Sequence, residues 1–138
     1  MNMSFPLSQI YLFRITFVFT LMTILVLATL PNQTFDMGSM NDKLNHFAAF
    51  YICALLVDFS FPQRDFDLTK ILFLLGYGLL IELIQLFLSY RSFSLLDLAV
   101  DTSGIFFYGL SLPLIKNLPM LKRRWAVDKP MVKRKLKS

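Results

Sequence analysis

Four apolar runs, each close to the ~20 residues a helix needs to cross a ~30 Å hydrocarbon core, follow one another with only short connections between them. They cover about residues 10–30, 44–61, 71–88 and 95–115. Inside hydrocarbon each backbone donor and acceptor must be satisfied within the protein, so runs of this length read as helices. The expected fold is therefore all-α, an integral membrane bundle of four transmembrane helices. Composition agrees: 56% of the 138 residues are hydrophobic and 15 are Phe, which is rare in a soluble domain of this size. The chain reads as one transmembrane domain, 1–115, followed by a basic tail, 116–138. Its single cysteine, Cys53, lies inside an apolar run, which leaves neither a disulfide framework nor a thiolate metal site.

The first run competes with a cleaved signal peptide, but no basic cluster precedes it and Leu30-Pro31 follows without an Ala-x-Ala site, so a retained helix is expected. The residues after it, up to Asn41, read as a polar loop. The second run is the weakest span, since its uninterrupted apolar part is short enough for a re-entrant or interfacial helix. A charged connection with Arg64, Asp65, Asp67 and Lys70 leads to the third run.

Nine of the 14 Lys and Arg lie between Lys116 and Lys137, leaving five basic and eight acidic residues before Lys116. Bases gathered just after an apolar span are a topology signal and a contact for anionic head groups more often than a nucleic-acid arm. The expected partners are membrane lipids, with no nucleic acid. The same bias predicts a multi-pass protein with both termini cytoplasmic and with Lys43 and Arg91 in the two outer connections.

The fourth run opens with unusual chemistry, Arg91-Ser92-Phe93-Ser94 and then Asp97 and Asp101. An acid at the centre of a transmembrane helix costs ~2.5–3.5 kcal/mol on insertion scales, so two within about one turn need partners, a shallow position or a task. At 100° per residue, Ser94, Asp97, Asp101, Gly104, Tyr108 and Ser111 share a face, while Leu95, Val100, Ile105, Phe106 and Phe107 lie elsewhere. Alternating helix directions then bring Asp42, Lys43 and His46, at the start of the second helix, to the depth of Asp97 and Asp101. Glu82, Gln85 and Ser89 near the end of the third reach the same depth, so three polar stripes converge on one outward-facing region.

Each residue also has a plain structural use. Glu82 and Gln85 could bond between helices, Lys43 and Arg91 could snorkel, His46 could cap a helix, and Ala99 with Ser103 could mark a helix contact. Four acids (Asp42, Glu82, Asp97, Asp101) facing two permanent cations and one imidazole are harder to neutralise by pairing alone, which favours a ligand or reaction site. His46 with a carboxylate could act as a general base, and Lys43 and Arg91 could hold a phosphate or pyrophosphate. A metal site from His46, Glu82, Asp97 and Asp101 ranks third because the close His spacing is missing. No cofactor and no metal are expected.

The ordered set Asp42-Lys43, His46-Phe47, Glu82, Gln85, Arg91-Ser92, Ser94, Asp97, Gly104 and Gly109 resembles the VanZ-like family of small bacterial membrane proteins over residues 42–109. Asp101 stands where that family commonly shows Asn, and Ser89 where a Pro often precedes the Arg. The resemblance implies a multi-helix inner-membrane protein with an envelope role, in a family whose founding member is associated with resistance to the glycopeptide antibiotic teicoplanin. It implies motif positions at Lys43, His46, Glu82, Gln85, Arg91, Ser94 and Asp97, without a reaction. The expected function is engagement of a lipid-linked or cell-wall-related ligand in an outward-facing pocket. The alternatives are an enzyme using His46 with Asp97 or Glu82 as acid and base, with Asp101 as a further candidate, and a structural partner subunit.

Overall fold

The computed structural model describes residues 6–31 and 39–128, and these form an all-α bundle: α1 (Leu7–Thr29), α2 (Ser39–Ser60), α3 (Leu68–Leu86) and α4 (Leu95–Asn117), closed by a 3-10 helix, Lys122–Asp128. Most of the loop expected between the first two helices, residues 32–38, and the end of the tail lie outside the described residues. Local chemistry accounts for the boundaries. Asp67 accepts the amide of Lys70 at 3.2 Å and Ser94 that of Asp97 at 3.2 Å, so α3 and α4 each start on a side-chain cap. Leu30, followed by a proline that disfavours helical backbone before it, ends α1. The charged residues Asp42 and Lys43 fall inside α2, which begins earlier than its apolar run.

Three of the helices, α1, α3 and α4, are long and apolar enough to cross a membrane. Among the described residues α2 has the length but carries Asp42, Lys43, His46 and Asp58, and it occupies the middle of the bundle. Its residues Phe50, Cys53, Ala54, Val57 and Phe59 are buried against Leu74 and Ile81 of α3 and Ile105 and Tyr108 of α4. Gly104 lets α4 approach α2 closely: a β-carbon there would stand 2.5 Å from the Phe47 carbonyl oxygen and 3.1 Å from the Tyr51 nitrogen. Among the described residues no helix packs on Ala99 and Ser103, where a contact was expected: both face outward, and Ser103 bonds back to the Ala99 carbonyl. Gly104, the next residue on, occupies that contact instead.

On α1 only Ile10 and Phe17 are buried, and Leu12, Ile15, Phe19, Met22 and Val26 are exposed. An exposed apolar stripe along a whole helix suits acyl chains. The few polar contacts of α1 are with neighbouring helices. Arg14 donates to the Ser60 carbonyl at the end of α2, the Tyr77 hydroxyl to Leu21, and Gln85 to Ala28. Contacts that advance together along both helices make α1 and α3 parallel, with α2 running back between them.

Candidate functional site

At one end of the bundle the start of α2, the end of α3 and the start of α4 meet. His46 Nδ1 lies 2.9 Å from Oδ1 of Asp101, across the α2–α4 contact that Gly104 permits. Lys43, one turn earlier on α2, has its Nζ 4.0 Å from Oδ1 of Asp97. Asp42, His46 and Asp97 are partly buried, and one ligand atom from each lies within 4.8 Å of the others. From α3, Glu82 accepts the Ser94 amide at 2.8 Å, so its carboxylate ties α3 to the residue that caps α4.

The α4 face expected to be polar is the one turned inward: Asp101, Gly104 and Tyr108 are buried and Ser94, Asp97 and Ser111 partly so. Ile105, off that polar face, is buried as well, because α2 and α3 cover more of α4 than one stripe. The carboxylate against His46 is Asp101, not Asp97 or Glu82. Which acid reaches the imidazole depends on the rotation of α4 against α2, and depth along the helices does not determine that rotation.

Two expected binding residues turn away from this group. Arg91 donates twice to the Leu30 carbonyl, from Nε at 3.1 Å and Nη2 at 2.9 Å, and Gln85 donates to Ala28 at 3.0 Å. With Tyr90, whose hydroxyl bonds Thr29 at 2.6 Å, they occupy the carbonyls that end α1. A helix leaves its last four carbonyls without internal partners, so three side chains from the α3–α4 region serve here as a cap in trans. Arg91 is thus an α1 anchor, and Lys43 is the cation beside the acids.

What remains is a group rich in negative charge. Glu82 and Asp101 are 0% and 1% exposed, and among the described residues Oε1 of Glu82 and Oδ2 of Asp101 have no hydrogen-bond partner. Asp101 Oδ2 faces Gly78 of α3, 3.3 Å from where a β-carbon would stand, one turn from Glu82 on the same helix face. Buried carboxylate oxygens without partners are uncommon, because each loses its hydration for nothing in return.

A second polar centre lies at the other end of the bundle, and the sequence reading did not connect its members. Asp58 is fully buried and binds Lys70 Nζ at 2.9 Å, Arg124 Nη2 at 2.7 Å and the Tyr108 hydroxyl at 2.7 Å. Lys70 also donates to the carbonyls of Phe61 and Arg64, and Arg124 to those of Asp58, Pro62 and Arg64. Each nitrogen of the Lys70 and Arg124 head groups has an acceptor, which marks a structural clamp. It draws in residues beyond the boundary expected at 115: Arg124 is completely buried, and Trp125 packs edge-on against Phe59 at 5.8 Å. The first part of the tail belongs to the bundle, while five of the nine bases counted there lie outside the described residues. An acid at the far end of an apolar helix, facing a lysine in the next connection, was the available signal.

Comparison with known protein families, curated proteins and solved structures finds no match for the chain.

Proposed function

We propose that the chain is a VanZ-like protein of the bacterial inner membrane, crossing it four times, whose polar pocket at the start of α2 and α4 engages a lipid-linked or cell-wall-related ligand at the outer face. The observation that carries this reading is the group His46, Asp101, Asp97 and Lys43, with buried and unpartnered carboxylate oxygens behind it. A bundle built for packing alone has no use for uncompensated acids at the boundary of an apolar layer, whereas a pocket that meets a ligand's hydroxyl donors with its carboxylates and a phosphate with Lys43 does. The nine basic residues after Ile115 support cytoplasmic termini, and the resemblance over 42–109 supports the envelope role.

An enzymatic reading has one observation of its own: Asp101 orients the His46 ring through Nδ1 and leaves Nε2 free, the arrangement of a general base. Both readings meet one experiment. In nanodiscs, a fluorescent polyprenyl phosphate should bind the purified chain saturably, and Lys43→Ala should weaken binding in graded fashion while the protein stays folded. An enzyme should instead keep binding and lose turnover sharply on His46→Ala. Absence of saturable binding to the parent chain would remove the lipid-linked ligand.

A further inference from the structure

We infer that Asp42, His46 and Asp97 form a binding site for a divalent first-row cation of the Zn2+ and Mn2+ class. Asp42 and His46 are four residues apart on α2 and so project from one face, and Asp97 reaches them from the first turn of α4. Their ligand atoms lie within 4.8 Å of one another. Metal–ligand bonds of ~2.0–2.2 Å put ligand atoms about 3.4 Å apart in a tetrahedron and about 4.2 Å apart across an octahedron. Rotation of two partly exposed aspartate side chains covers that difference.

His46 Nδ1 is held by Asp101 at 2.9 Å, so Nε2 is the nitrogen that would take the ion, and a ligating histidine usually gives its other nitrogen to a carboxylate in this way. The independent pointer is charge. Glu82 and Asp101, at 0% and 1% exposure, each keep a carboxylate oxygen without a partner among the described residues, and Asp101 joins the three ligands through its bond to His46, while Arg91 is engaged on the Leu30 carbonyl. Four carboxylates then face Lys43 and one histidine. A doubly charged ion supplies the missing positive charge, and one nitrogen with two carboxylate oxygens favours Zn2+ or Mn2+ over the all-oxygen preference of Mg2+ and Ca2+.

This inference rests on the same pocket as the proposed function and deepens it, because a bound cation would let an acidic pocket accept a phosphate. The test uses the full chain with a histidine-free affinity tag, in nanodiscs, stripped with EDTA and dialysed. Titration with Zn2+ by calorimetry and with Mn2+ by electron paramagnetic resonance should show one ion per chain. Asp42→Asn and Asp97→Asn, isosteric changes at partly exposed positions, should each weaken binding at least tenfold, and Asp101→Asn by about 10- to 100-fold through the imidazole. Lys43→Met removes a competing charge and no ligand, so it should tighten binding several-fold, whereas Asp65→Asn at the other end should change nothing. No stoichiometric uptake by the parent chain, affinity unchanged in both Asp42→Asn and Asp97→Asn, or Lys43→Met leaving affinity unchanged or weaker would each overturn the site. No lipid ligand takes part in the titration, so its outcome is separable from that of the lipid-binding experiment. Polyprenyl phosphate that fails to bind the ion-loaded chain removes the function and leaves the cation site, and lipid binding without any ion does the reverse.

Discussion

Gly104 shows how one missing β-carbon sets the geometry of the site. The helix backbones of α2 and α4 come together there, and the neighbours a side chain would meet are main-chain atoms that cannot swing aside. Gly104→Ala should therefore destabilise by roughly 1–3 kcal/mol, the usual cost of overpacking, and should loosen the His46–Asp101 contact three residues away on the same α4 face. Gly76 is the control, since nothing lies within 4 Å of a β-carbon there. Gly76→Ala should be neutral or raise stability by up to ~1 kcal/mol through helix propensity. Unfolding midpoints in mixed micelles would compare the two, and equal effects would mean that the close approach is not tight. The glycine was visible in the sequence as part of a polar face, but its function as a contact was assigned to Ala99 and Ser103. Small-residue spacing names candidates for a contact, and only the rotation of the helix decides between neighbours.

At the scale of elements, the 3-10 helix is held by Arg124, whose guanidinium reaches Asp58 and three carbonyls at the end of α2 and in the loop after it. Sequence rules place a basic residue after an apolar span in the aqueous phase, and Leu121 and Trp125 are too sparse a pattern to predict packing. The four long helices were legible because their apolar runs are long; this clamp was not, because its members come from α2, α3, α4 and the tail. Taking one partner from a buried ion pair costs ~3–5 kcal/mol, since the charge left behind has no water. Asp58→Ala strands both Lys70 and Arg124 and should unfold the bundle more readily than Arg124→Met, which leaves Asp58 paired with Lys70. The single tryptophan gives a local readout. In Arg124→Met its emission should shift to the red as Trp125 leaves Phe59, while far-ultraviolet helicity is retained; an unshifted spectrum would show that the 3-10 helix docks without the arginine.

For the molecule as a whole, the topology turns on α2, which is long enough to cross a membrane but carries charges near both ends. Two facts about its neighbours bear on it. The helices α1 and α3 are both apolar enough to span, and they are parallel, with Gln85 and Arg91 at the end of α3 bound to the carbonyls that end α1. If both of these parallel helices cross, the chain has to return over the same thickness between them in sequence, and α2, packed against both, is the segment placed to do so. Its charges fit such a path. Twelve residues separate His46 from Asp58, about 18 Å along a helix axis, so both can lie inside the edges of a ~30 Å core if their charges are paired within the bundle. Asp58 is paired on every side, and His46 faces Asp101. A hydropathy average over α2 counts these residues as if lipid met them, although burial hides them. With Cys53 replaced by Ala, single cysteines at the exposed positions Asn41, Gln63 and Ser92 should report the crossing directly. In intact cells a membrane-impermeant maleimide should label positions 41 and 92 and spare 63 until the membrane is opened. Labelling of 41 and 63 from the same side would make α2 a re-entrant or interfacial helix, and would separate the His46 pocket from the outer face to which the bias of positive charge assigns it.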